Sequence, residues 1–281
     1  MVDRRMMASS KRRARQPREA GSPAAVDATD CRSQRIATVV VKGVKQHSPK
    51  IIRSIADIRA GVRHLRGACP AMRAVHDRTG DPPLRRFAPG FAGLARIVTG
   101  QQLSIASAAA IWGRLEAALR PFTAERLLDA DTAELAALGL SRAKIRTLRA
   151  LAEAVAAHDL DLAALARADD GSVREALTAV HGIGPWTADI YILFCLGRAD
   201  AWAAGDLALQ VGTARVLGAD ERFTASELEQ VAERWRPWRG VAARLIWADY
   251  ALPRPAEPAT GPPPGGERRS RPRLSRIRET P

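Results

Sequence analysis

The sequence predicts an all-α fold, on three observations. Between residues 51 and 250 no stretch alternates apolar and polar residues for long enough to build a sheet. Apolar residues recur instead at spacings of three and four, as on one face of a helix. The runs are also punctuated by Gly and Pro, and several follow a Ser or Thr able to accept from a helix's first amides.

In order, Ile51 to Leu65 reads as a helix with Ile52, Ile55, Ile58 and Val62 as its apolar stripe. Asp81, Pro82 and Pro83 break the pattern before Arg85 and Arg86. Phe91 to Leu119 holds a long helical run in which Ile111, Leu115, Ala118 and Leu119 share a face, with Gly100, Gln101 and Gln102 near its start. Adjacent glutamines there either face solvent or need buried partners for their amides. After Pro121 and Phe122 come two short helices, Ala124 to Leu128 and Thr132 to Leu138, the second stopped by Gly139. Ser141 caps a helix over Lys144 to Val155, with Ile145, Leu148, Ala152 and Val155 inward and Arg142, Lys144, Arg146 and Arg149 on a solvated face. Leu160 to Ala166 is helical, and Ser172 with Glu175 reads as a capping box for the next helix.

Leu177 to Leu209 is the most informative stretch. Gly182 and Gly184 flank Ile183 in a sharp reversal, and Pro185 stands where a helix's first residue tolerates a missing N–H. Helix follows from Trp186 to Leu196, through Ile190, Leu193 and Phe194, and Gly197 releases it. Asp206 lies past a short loop, with helix resuming through Ala208 and Val211 to Val216. Ser226 to Trp235 is a further helix with Glu229 at the capping-box position. Arg234 to Trp247, RWRPWRGVAARLIW, then holds three of the six tryptophans among four arginines. Such a segment suits base stacking and phosphate contact, and suits core packing equally.

The formal net charge of +14 belongs mostly to the ends. Residues 1–50 hold 12 Lys and Arg against 4 Asp and Glu, and residues 251–281 hold 7 against 3. The basic composition therefore points to tails, residues 1–50 and 253–281, expected to be disordered and either polyanion-attracting or merely solubilising. The three cysteines, Cys31, Cys69 and Cys195, fit neither a disulfide framework nor a zinc ribbon. They are too few for a four-cysteine iron–sulfur cluster, and a reduced, cytoplasmic setting is expected. No apolar run approaches a membrane span, and the basic N-terminus lacks the apolar segment of a secretory signal.

The stretch VHGIGPWTA followed by Asp206 resembles the helix-hairpin-helix and Gly/Pro-rich loop with aspartate of the DNA glycosylase superfamily. RIVTGQQLS at Arg96 to Ser104 and RWRPWRGVAARLIW resemble its DNA-3-methyladenine glycosylase II branch, so the similarity covers roughly residues 51–250. The resemblance implies a glycosylase domain over 51–252 with a cleft between two helical subdomains, 51–95 plus 206–252 and 96–205. It implies a monomeric, monofunctional enzyme that flips alkylated purines, of 3-methyladenine or 7-methylguanine type, out of double-stranded DNA and hydrolyses their N-glycosidic bond.

By position, Asp206 matches the catalytic aspartate, Asp200 the acidic loop residue, and Asp189 sits within a helix as a further rival. Trp247 matches the base-stacking tryptophan, Trp186 a pocket wall, and Ile190 stands where the family has a pocket tyrosine, with Tyr191 one position along. Gln102 matches the wedge that fills the gap left by the flipped nucleotide. Gly182, Gly184 and Thr187 are the phosphate-binding positions, and the backbone carbonyls of Thr178, Val180 and Ile183 match those that hold a Na+ or K+ ion. No other cofactor is expected. Trp186 replaces the lysine of lyase-competent relatives, and Ala203 stands where a loop proline is common. Two other readings stay open: excision of another base, hypoxanthine or uracil, and a non-catalytic helix-hairpin-helix DNA-binding module.

Overall fold

The computed structural model describes residues 49–253, so the expected disordered tails lie outside the described residues, apart from Pro49, Lys50 and Pro253 at their edges. Among the described residues the chain is helical, with one isolated antiparallel bridge between Ile51 and Arg198. Thirteen α-helices follow in order. They are α1 Ile55–Ala68, α2 Pro70–Thr79, α3 Phe91–Gly100, α4 Ile105–Ala118, α5 Ala124–Asp129, α6 Thr132–Ala137 and α7 Arg142–Ala156. The rest are α8 Leu162–Leu165, α9 Asp170–Thr178, α10 Pro185–Tyr191, α11 Leu207–Leu217, α12 Ala225–Ala232 and α13 Arg239–Tyr250. A π-helical turn, Ile192–Leu196, continues α10, and a 3-10 turn, Glu233–Trp235, continues α12.

The helices pack in two groups. α1, α2, α11 and α13 pack on one another; α3 packs on α4, α7 and α10, α7 on α5 and α6, and α10 on α9. The boundary anticipated between residues 95 and 96 falls inside α3, whose inward residues Leu94, Ala95, Ile97 and Val98 are all buried.

Several expectations are corrected by capping chemistry. The first helix begins at Ile55, because Ser54 accepts from Asp57 N and the Asp57 carboxylate takes the Ser54 and Arg53 amides. Ile52 is consequently extended and fully buried, donating its amide to the Gly197 carbonyl at 2.7 Å, whereas Ile55 is exposed. The run from Phe91 to Leu119 is two helices, because Gln101 to Ser104 turn the chain and Ser104 caps α4. Ser172 is no cap: its amide and hydroxyl both donate to Asp169, which starts α9. Likewise Thr224 with Glu227, rather than Ser226 with Glu229, forms the box at the start of α12.

The α7 basic face is only partly solvated. Lys144 Nζ donates to the Thr99 carbonyl at 2.8 Å, and burial pulls its ammonium below the ordinary range. Arg149 donates to the Leu128 and Ala130 carbonyls, tying α7 to the end of α5. In the tryptophan-rich segment, Trp235 and Trp238 are core residues, and Trp235 packs against Trp202 with ring centroids 5.5 Å apart. Burying rings of this size contributes roughly 1.5–3 kcal/mol or more apiece, which settles the segment's ambiguity toward packing for these two. Trp247 alone of the three stays half-exposed.

Candidate active site

Gly182 and Gly184 have different reasons to be glycine. Gly182 adopts φ +80°, and a Cβ there would lie 1.9 Å from the Thr147 Oγ1, so the hairpin sits directly on α7. Gly184 has ordinary extended backbone and open space around its Cα; it is the N-cap of α10 with no side-chain acceptor. The first ladder bond of α10 is Ala188 N to Gly184 O, at 3.2 Å, leaving the Trp186 and Thr187 amides without intrahelical partners. Thr187 contributes only this amide outward. Its side chain is buried, and its hydroxyl accepts from Gln101 Nε2 at 2.8 Å. That contact answers the question posed by the paired glutamines: Gln101 faces inward, while Gln102 is exposed at φ +56°, a left-handed residue at the tip of the α3–α4 turn. Exposed Leu103 and Ile105 flank the same tip.

Gln101, Gln102, Ser141, Lys144, Arg146, Thr147, His181 and Gly182 line a groove of about 260 Å³ between the turn, α7 and the hairpin. Its lining holds cations and neutral groups and no carboxylate. Of the carbonyls matched to a monovalent cation, Val180 O already accepts from Ile183 N at 3.1 Å, whereas Thr178 O and Ile183 O take no backbone N–H from outside the helices.

The three candidate carboxylates are separated by their partners. Asp189 is buried and paired with Arg174 at 2.6 Å; burial nevertheless pushes its carboxyl up to about 6. Asp200 is held by Arg236 and by Arg239, whose Nη2 lies at 3.0 Å. Both are structural ion pairs. Asp206 is bound by neutral donors instead. As the N-cap of α11 its Oδ1 accepts from Leu209 N at 2.9 Å, and it also accepts from Trp247 Nε1 at 3.0 Å. Its Oδ2 accepts from Trp186 Nε1 at 2.8 Å. No Lys, Arg or His forms an ion pair with it among the described residues. The carboxylate is oriented without a cationic side-chain partner among the described residues.

The structure thus brings Asp206, Trp186 and Trp247 together from α11, α10 and α13, while Gln102 and the hairpin lie along the neighbouring groove. Ile190, one turn beyond Trp186, is buried. Tyr191 is fully buried with its hydroxyl accepting from Gly90 N at 3.0 Å, and burial pushes its phenol up to about 12. Phe194, which the sequence marked only as apolar, stacks on Trp247 with centroids 5.7 Å apart and an interplanar angle of 27°. The guanidinium of buried Arg244 lies 4.9 Å from the Phe194 centroid, and burial lowers it to about 9.

Comparison with known proteins matches residues 95–237 to the HhH-GPD superfamily of base excision DNA repair proteins. The chain belongs to this superfamily. As an HhH-GPD protein it is 31% identical over 169 residues to DNA-3-methyladenine glycosylase 1 of Schizosaccharomyces pombe, covering 57% of this chain and 74% of that one. A probable bifunctional transcriptional activator/DNA repair enzyme of Mycobacterium tuberculosis is 33% identical over 211 residues, covering 70% of this chain but 41% of the relative's length. This HhH-GPD chain therefore spans less than half of that relative. Among solved structures, the S. pombe 3-methyladenine DNA glycosylase in complex with abasic DNA superposes with a TM-score of 0.63 at 27% identity, covering 67% of this chain and 95% of that one. The DNA-3-methyladenine glycosidase of Bacillus halodurans superposes with a TM-score of 0.59 at 31% identity, covering 68% and 89%.

Proposed function

We propose that the chain is a DNA glycosylase that hydrolyses the N-glycosidic bond of alkylated purines in duplex DNA, as the first step of base excision repair. The observation that carries this reading is the Asp206 carboxylate, held by two indole N–H groups and a backbone amide with no cation to neutralise it. Breaking the bond between C1′ and the base builds positive charge on the deoxyribose. A preorganised anion there lowers the barrier by a charge interaction that water would otherwise screen, and loss of one such group costs about 100-fold or more. The same carboxylate orients the water that attacks C1′.

The reading places the reacting groups where the two helix groups meet. The base leaves the stack and lies against Trp247, backed by Phe194, with Trp186 and Ile190 on the α10 side. A cationic 3-methyladenine or 7-methylguanine gains about 0.5–2 kcal/mol from an indole face. Gln102 enters the duplex from its exposed, left-handed turn and hydrogen-bonds the orphaned base. The amides of Gly182, Gly184 and Thr187 take a phosphate without reading sequence. The Thr178, Val180 and Ile183 carbonyls suit a Na+ or K+ ion, which would steady the hairpin: Thr178 O and Ile183 O take no backbone donor from outside the helices, and Val180 O keeps one lone pair beside its bond from Ile183 N. Trp186 offers no amine to the sugar, so the product is an intact abasic strand.

The test is base release from methylated duplex DNA by wild-type protein and Asp206→Asn side by side, with abasic-DNA affinity measured on both. We expect release by the wild type alone, similar abasic-DNA binding, and no nicking before heat or alkali. Preferred release of hypoxanthine or uracil would move the substrate class. Tight DNA binding with no release of any base would make the chain a binding module.

A further inference from the structure

We infer that the indole N–H groups of Trp186 and Trp247 are positioning groups for Asp206, leaving that carboxylate a single acceptor position, on Oδ2, toward the reacting sugar. This rests on the glycosylase reading and goes beyond it, because it assigns the two tryptophans a polar role distinct from stacking or walling a base.

A carboxylate offers about four lone-pair sites. On Asp206, Leu209 N and Trp247 Nε1 fill both sites of Oδ1, at 2.9 and 3.0 Å, and Trp186 Nε1 fills one of Oδ2 at 2.8 Å. One site remains. The three donors come from three helices: Leu209 from α11 itself, Trp247 from α13, and Trp186 from the first turn of α10. The carboxylate plane is therefore fixed from three directions, and rotation about its Cβ–Cγ bond would break all three contacts together.

Indole N–H is donor-only, so neither ring can turn the contact around and accept from the carboxylate. Nor is satisfaction of an indole a general demand of this fold, since the buried Trp202 and Trp235 Nε1 atoms lack partners among the described residues. A guanidinium could have held Asp206 as Arg239 holds Asp200, but it would have cancelled the charge. Two neutral donors fix the geometry and keep the full negative charge for the cationic sugar. The remaining Oδ2 site accepts from the attacking water while the charge acts through space.

The experiment is a double-mutant cycle. Trp186→Phe and Trp247→Phe keep a ring and delete the N–H; a benzothienylalanine at each position keeps the bicyclic shape as well. Each is made with Asp206 and with Asp206→Asn, and single-turnover release of 7-methylguanine from methylated duplex is measured at saturating protein, beside abasic-DNA affinity. A hydrogen bond to a charged group corresponds to about 10- to 100-fold in rate. We expect that loss in the Asp206 background, with abasic-DNA affinity changed less than about threefold, and a loss at least about fivefold smaller in the Asp206→Asn background, where only the stacking part of each ring is removed. Equal losses in both backgrounds would mean that the rings act only by stacking, and would overturn the proposal.

Indole N–H resonances give a readout independent of activity. Of the six tryptophans, those two should shift most in Asp206→Ala; unmoved signals would overturn the proposal even if rates fell. Wild-type protein that binds abasic DNA and releases no base, while the two resonances respond as expected, would fail the glycosylase reading and leave the indole clamp standing as a structural cap only.

Discussion

Replacing Gly182 by alanine would set a methyl group 1.9 Å from the Thr147 Oγ1 and 2.9 Å from its Cβ, at a backbone φ of +80°. The left-handed conformation alone costs an L-residue about 1–2 kcal/mol. Thr147 is buried on α7 and cannot swing away, so the overlap adds about 1–3 kcal/mol of overpacking. The total, about 2–5 kcal/mol, lowers the melting temperature of a domain this size by about 4–20 °C. Gly184, two residues on, has φ −92° and no atom within 4 Å of a built Cβ. Alanine there gives up at most about 1 kcal/mol of N-cap preference, yet its methyl enters the space through which a phosphate would approach the α10 amides. Thermal denaturation with fluorescence anisotropy on an abasic-site duplex separates the two effects. Gly182→Ala should melt early; Gly184→Ala should melt close to wild type and bind DNA about 10-fold more weakly. A Gly182→Ala protein melting within about 2 °C of wild type would refute the packing reasoning, and a Gly184→Ala protein binding within about twofold would refute the phosphate role.

Asp206→Asn keeps a carbonyl oxygen for Leu209 N and so preserves the α11 cap, whereas Asp206→Ala should lose about 1 kcal/mol of stability in urea titration as well as the base-release activity. Arg146→Ala, in the carboxylate-free groove, should lower the slope of log affinity against log salt by about 1 on any duplex sequence, as expected of one phosphate contact. The Asp189 carboxyl, raised by burial from 3.8 to about 6 against the Arg174 hydrogen bond, holds its proton more tightly in the folded state. Its contribution, on the order of 3 kcal/mol, is complete below about pH 4 and lost as pH rises through about 6. Urea titrations at pH 4 to 7 should show that decline in wild type relative to Asp189→Asn.

Local chemistry made much of this fold legible. Gly182, Pro185 and Gly197 mark a reversal, a helix start and a helix release by backbone preference alone, and all three stand where they were expected. The capping errors come from overlapping signals: Thr224–Glu227 and Ser226–Glu229 both spell a box, and only the one that the helix start selects is used. Ile52 keeps helical spacing with Ile55 and Ile58 although its amide pairs with Gly197, because spacing does not reveal a partner 145 residues away. The active-site candidate is legible as residue types at matching positions, yet its geometry is not. Nothing near Asp206, Trp186 or Trp247 in the chain announces that two indoles converge on one carboxylate, and Gln101 meets its partner Thr187 only in the folded structure. Catalyst and cap are rival readings of Asp206 in the sequence; in the structure it occupies the cap position and also accepts from two indole N–H groups, so the two readings coexist.

The π-helical turn at Ile192–Leu196 has a bearing on which sequence changes this pocket tolerates. Regular α winding advances about 100° per residue, so eight residues beyond Trp186 it would carry a side chain roughly 80° around the axis. The wider i→i+5 winding holds Phe194 nearer the line begun by Trp186 and Ile190, against Trp247. The face that Phe194 presents to Trp247 is therefore set by the number of residues in that turn as much as by their identity. Exchanging one apolar residue for another there leaves the stack in place, whereas inserting or deleting a residue ahead of Phe194, at Ile192 or Leu193, would rotate its ring about the helix axis relative to Trp247.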